Sequence, residues 1–219
     1  MKSLILIIFF FFSICFVHSQ ITNDTLQTND SSSFKPNINL DVSVPRINSS
    51  DIEVDGNLNE SAWLKAQKFE NFSEVEPGDN TKPSVNTDAF LFYDDENIYV
   101  GFKCYEPDIK SLRKTFTSRD MIFSDDWVGF FFDTYNEKKQ AYELIVNPYG
   151  IQADLMWNAP GNEDDTFDMI WSSDAKVHDK MWTAEIVIPF KSIRFPNKAE
   201  QVWNFHLFRN HPRVNREQI

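Results

Sequence analysis

The feature that most constrains this chain is a strict alternation of apolar and polar side chains in short runs cut by turn residues. In NIYVGFKCY (97–105), Ile98, Val100, Phe102 and Cys104 share one parity while Tyr99, Lys103 and Tyr105 share the other. WTAEIVIPF repeats the pattern, with Trp182, Ala184, Ile186, Ile188 and Phe190 against Thr183 and Glu185. VWNFHLFR sets Trp203, Phe205 and Leu207 against Asn204 and His206. Successive side chains on a strand point to opposite faces, so a period of two specifies half-buried strands. Further strands are expected over 86–93, 124–133, 141–147, 151–157 and 172–178, with turn clusters such as Tyr93-Asp94-Asp95-Glu96-Asn97 and Asn147-Pro148-Tyr149-Gly150 between them. Only ESAWLKAQ (60–67) reads as a helical turn or two, with Asn59 as its cap. Such a succession predicts an all-β fold, an antiparallel β-sandwich of jelly-roll type, and no repeat points to a propeller or solenoid.

The first residues, MKSLILIIFFFFSICFVHSQ, place one cation before an apolar run from Leu4 to Val17. That run is short of the ~18 residues a membrane span needs and reads as a signal peptide over 1–19. Residues 20–46 are rich in Asn, Asp, Ser and Thr without apolar period, and are expected to form a flexible leader. After the signal, Cys104 is the one remaining cysteine, so no internal disulfide or cysteine-based metal cluster is expected. Its place on an apolar parity makes it core filler. Export without disulfides suits a periplasm or an outer membrane or cell surface. The net charge of −12 repels phosphate backbones, so no nucleic acid is expected as a partner.

The stretch IFSDDWVGFFFDT (122–134) concentrates rings and carboxylates. By parity, Asp126, Val128, Phe130 and Phe132 face the core, and Phe123, Asp125, Trp127, Gly129, Phe131 and Asp133 face outward. A glycosidase needs two carboxyl groups ~5 to 10 Å apart across one sugar bond. Asp125 and Asp126 point apart, and Asp125 and Asp133 lie roughly 26 Å apart along a strand, so neither is such a pair. There is no nucleophile elbow, phosphate-cradling glycine loop or HExxH helix. Rings with acids and amides on one sheet face suit sugars, whose C–H faces stack on rings while hydroxyls bond to carboxylates and amides. Burial of Trp127 and Phe131 under a long loop is the competing reading.

Six segments in order, VDGNLNESAW (54–63), AFLFYDDENIYVGFKCYEPD (89–108), SRDMIFSDDWVGFFFDT (118–134), AYELIVNPYGIQAD (141–154), WTAEIVIPFKSIRF (182–195) and WNFHLFRN (203–210), resemble carbohydrate-binding module family 9. They are similar to the version found at the N-terminus of exported bacterial proteins with a large outer-membrane C-terminal region. The resemblance implies a sandwich over 47–212 that binds a mono- or oligosaccharide without cleaving it, sometimes with structural calcium. A tail over 213–219 would then lead toward such a C-terminal region. It places the first ring-clamping aromatic at Phe123, where tryptophan is usual, and an acidic sugar ligand at Gly129, which has no side chain. A second clamp is expected beyond Asn210, where none occurs.

The ligand face is therefore expected to include Phe123, Trp127, Asp125, Arg119 and Asn147, with Trp127 standing in for the missing ring and Asn147 equally a turn cap. Trp157 and Trp171 form an alternative stacking platform or core. GNEDDTFD (161–168) spaces Asp164 and Asp168 loosely like calcium ligands, though a solvated acidic loop fits it as well. The histidines have no metal-ligand spacing. The alternatives to sugar binding are an interaction module that has lost it and caps an outer-membrane partner or its own C-terminal region, and a glycoside hydrolase with an unidentified cross-strand carboxylate pair.

Overall fold

The computed structural model describes residues 34–38, 40–49, 52–213 and 216–219; the expected signal peptide and the first part of the leader lie outside them. The strands are β1 (Gln67–Phe69), β2 (Thr87–Tyr93), β3 (Asn97–Tyr105), β4 (Trp127–Asp133), β5 (Gln140–Val146), β6 (Gln152–Asn158), β7 (Asn162–Asp164), β8 (Ser172–Val177), β9 (Met181–Pro189), β10 (Asn204–His211) and β11 (Glu217–Gln218). They form two antiparallel sheets, ordered β1-β2-β3-β9-β8 and β11-β10-β4-β5-β6-β7. The sandwich read from alternation is the observed fold.

The core between the sheets is built from the predicted inward parities. Val100, Phe102 and Cys104 of β3 and Trp182, Ala184 and Ile186 of β9 meet Val128, Phe130 and Phe132 of β4 and Leu144 and Val146 of β5. Burial pushes the Cys104 thiol up to about 12, so it packs as a neutral apolar group.

Three local readings change. The helical segment is a single 3-10 turn over Trp63–Lys65, and Ala62, not Asn59, holds the position before it without a side-chain cap. Strand β4 begins at Trp127 rather than 124, because residues 123–125 form a turn that aims both neighbouring aspartates at backbone N–H groups. Val42 and Val44, in the expected leader, pack on the core, and Arg46 bridges to Tyr93.

The outer faces of the two sheets differ. That of the five-stranded sheet is roofed by residues 47–49 and 52–66: Ile47, Ala62 and Trp63 bury Phe92, Tyr99 and Val187. Trp63 meets Phe92 edge-on at 5.0 Å, and Phe92 stacks on Tyr99 at 4.6 Å. The outer face of the six-stranded sheet has only a smaller cover, where Ile122 closes over Trp127, Ile145, Ala153 and Leu155 while Phe131 and Phe208 remain half-buried. That face is the open one.

Candidate functional site

The open face is read directly from register. His206, Phe131, Glu143 and Leu155 lie in one row across β10, β4, β5 and β6, and Phe208, Gly129, Ile145 and Ala153 in the next. Trp157 shares this face, opposite Ala141 on one side and Glu163 of β7 on the other. The predicted outward parity of β4 is therefore correct, but its strand neighbours decide what each ring does.

Gly129 is the pivot. A Cβ there would lie 2.7 Å from Cε1 of Phe131, so the missing side chain is what allows that ring to lie back along its own strand. Directly across the ladder from Gly129, Phe208 spreads into the gap. Its ring stacks on Trp127 at 5.5 Å and 19° and on Phe131 at 5.7 Å and 19°, giving a three-ring ladder. Glycine shielded by a cross-strand aromatic is a recurrent sheet device. Trp127 is the buried end of this ladder, 9% exposed, and its indole N–H has no hydrogen-bond partner among the described residues. Phe123, in the turn before β4, is 45% exposed.

The two aspartates of the opening motif are staples. Asp125 accepts from the Thr115 N–H (2.8 Å), the Thr115 hydroxyl (2.9 Å) and the Asn147 amide (2.9 Å). Asp126 accepts from the Arg113 N–H (2.7 Å) and from Arg213 (2.7 Å). Both carboxylates thus grip the 113–115 segment that leads into the Ile122 cover. Asn147 is fully buried, and its carbonyl oxygen accepts from the N–H groups of Tyr149 and Ile151, each at 3.0 Å. It caps the β5–β6 turn.

Arg119 does not reach the ring ladder. Its Nε donates to Asp154 at 2.9 Å, Nη1 to Gln152 at 3.0 Å and Nη2 to the Met169 carbonyl at 2.9 Å, tying the cover to β6 and to the 167–170 loop. Burial raises the Asp154 carboxyl above the ordinary carboxylate range despite the opposing pull of Arg119. Trp171 lies in the core between the sheets while Trp157 faces outward, so the structure does not join them as one platform.

The acidic loop divides in the same way. Asp164 is exposed and accepts from the Thr166 N–H (3.0 Å) and hydroxyl (2.7 Å), contacts that lower its pKa. Asp168 instead groups with Asp120 and Asp154, their oxygens within 4.8 Å of one another. Arg119 stands among these three carboxylates and supplies the positive charge a calcium ion would bring, so this donor set does not fit a metal.

Sequence reasoning passed over Phe208, His206, Glu163 and Glu143. Glu143 is 8% exposed, yet no described group hydrogen-bonds its carboxyl. Burial and then the Glu163 carboxylate push its pKa up to about 7. Its signal was present in AYELIV, an acid on the same parity as Ala141 and Ile145.

A family model described as carbohydrate family 9 binding domain-like matches residues 54–215. Among solved structures, a protein from Bacteroides uniformis ATCC 8492 suggested to bind carbohydrate superposes with a TM-score of 0.54 at 11% identity, over 70% of this chain and 75% of that one. A carbohydrate-binding module family 9 from Caldicellulosiruptor kristjanssonii, solved with glucose, gives a TM-score of 0.51 at 14% identity over 80% and 81%. The same module with cellotriose gives 0.51 at 14% over 80% and 79%. No curated protein matches significantly.

Proposed function

The chain belongs to the carbohydrate family 9 binding domain-like family, and on that premise we propose that it is an exported, non-catalytic module that binds a saccharide on the open face of its six-stranded sheet. The observation that carries this reading is the ring ladder of Trp127, Phe208 and Phe131, whose last two members remain half-exposed on the face that lacks a full roof. Half-buried rings present a rigid apolar floor to the C–H face of a sugar. Trp157 and the exposed His206 extend that floor to either side. The glucose and cellotriose held by a structural neighbour support a glucosidic ligand. Periplasmic or cell-surface placement rests on the N-terminal signal and the absence of a cysteine pair after it.

Titration calorimetry of the purified chain with glucose, cellobiose and cellotriose tests this reading. Saturable binding of one of them, weakened at least tenfold in Phe208→Ala, is the expected result. No binding of any saccharide by a folded chain overturns it. An interaction module that has lost sugar affinity is the second reading, favoured by Gly129, where the family places an acidic ligand and this chain has only the Phe131 ring. Hydrolysis makes a separate forecast. Glu143 on β5 and Glu163 on β7 are carboxyls on one sheet face with β6 between them, so turnover of a chromogenic glycoside that Glu143→Gln abolishes would replace binding by catalysis.

A further inference from the structure

We propose that Glu143 forms the floor of a subsite for a protonated amine carried by the bound saccharide, so that the preferred ligand is an amino sugar; this rests on the carbohydrate reading above.

Three observations converge. Glu143 is more than nine-tenths buried, lies between Phe131 and Leu155 on the open face, and has no hydrogen-bond partner among the described residues. Its oxygens are not sealed off, since they are absent from the buried atoms that lack partners, so the carboxyl opens toward solvent on this face. A carboxyl so nearly buried keeps only part of its hydration, and a donor on a ligand replaces what it lacks. By contrast Asp125, Asp154 and Glu185, which are as buried, each accept from two or more donors, and Asp126 accepts from two at Oδ2 while its Oδ1 has no partner among the described residues.

The second observation is charge. The outward-facing strand positions on β10, β4, β5, β6 and β7 carry Asp133, Glu143 and Glu163 and no lysine or arginine. Asp133 is spent on the N–H groups of Tyr135 and Lys138. The Glu163 carboxylate repels that of Glu143, and no cation among the described residues of the face offsets it. A cation beside them offsets this repulsion and favours the ionised form of Glu143, whereas a neutral hydroxyl donates a hydrogen bond but brings no charge to offset the repulsion.

The third is the rings. Phe131 lies directly across β4 from Glu143 and Trp157 diagonally across β6, two positions beyond its partner Leu155, and aromatic faces attract an ammonium. A chain of net charge −12 also draws cationic ligands from solution.

The test is calorimetric titration of the purified chain at low salt with three trimers: fully deacetylated chitotriose, its N-acetylated counterpart and cellotriose. Cyclohexylamine serves as an amine without a sugar. The amine trimer is expected to bind at least tenfold tighter than the other two. Glu143→Gln should bring the ratio of amine to N-acetyl affinity close to one, and Glu163→Gln, on an exposed edge strand, should reduce it several-fold. Equal affinities for the three trimers, or a ratio untouched by both substitutions, overturn the amine subsite and leave carbohydrate binding standing. Binding of cyclohexylamine that depends on Glu143, with no trimer bound, keeps the cation subsite and removes the sugar. If no probe binds, both fall.

Discussion

Glu185, at the centre of β9, and Gly56, 129 positions earlier, are joined by a 2.8 Å hydrogen bond from the glycine N–H to Oε2. The same oxygen accepts from the Asp55 N–H at 2.9 Å, and Oε1 accepts from the Trp63 indole at 3.1 Å. One carboxyl therefore pins the 55–63 segment as a roof on the five-stranded sheet, which is why that face is closed. Gly56 makes the approach feasible. At φ +80° a Cβ would sit 2.6 Å from the Ala175 carbonyl carbon.

Gly56→Ala should consequently destabilise the fold by about 2–3 kcal/mol, through both left-handed backbone strain and collision with β8. Thermal unfolding checks this. Any saccharide affinity measured well below the transition should survive, because the roof lies on the sheet opposite the ring ladder.

Glu143→Gln should change how stability depends on pH. The folded carboxyl holds its proton up to about 7, against an ordinary value of 4.5. Across that window the unfolded chain binds fewer protons at this position, so the site's contribution to stability is complete below 4.5 and is lost as pH rises through 7. The substituted protein should match the parent near pH 4 and exceed it in melting temperature at pH 8. Parallel curves for the two proteins would contradict this. Glu185, raised to about 7 by burial, contributes a slope of the same sign in both.

Arg119→Ala leaves Asp154, 1% exposed, without its guanidinium and should cost about 3 kcal/mol. Arg119→Lys should recover little, since one ammonium cannot reach Asp154, Gln152 and the Met169 carbonyl together. Urea titration of the two variants separates charge from geometry; full recovery by lysine would show that charge alone matters.

Asp125→Asn places an amide N–H₂ where the structure presents three donors, from Thr115 and Asn147. A loss of about 1–3 kcal/mol is expected, with the Ile122 cover loosened and Trp127 fluorescence shifted to the red. A variant of unchanged stability that loses saccharide binding would instead make Asp125 a ligand.

The alternation of side chains determined the architecture, because each strand's parity is a local property and a one-residue slip would expose its whole core face. Ile98, Val100, Phe102 and Cys104 could be placed in the core from NIYVGFKCY alone. The outward parity of Trp127 and Phe131 was equally legible. Only the tertiary structure decided which outward residues are reached by solvent, since that depends on partners distant in the chain. Phe208 fills the space at Gly129 because register sets it there, and Asp125 is spent on Thr115 because the 113–126 segment folds back over it. Glu143 has no hydrogen-bond partner among the described residues for the same reason: its cross-strand neighbours are Phe131 and Leu155, whose side chains cannot donate a hydrogen bond.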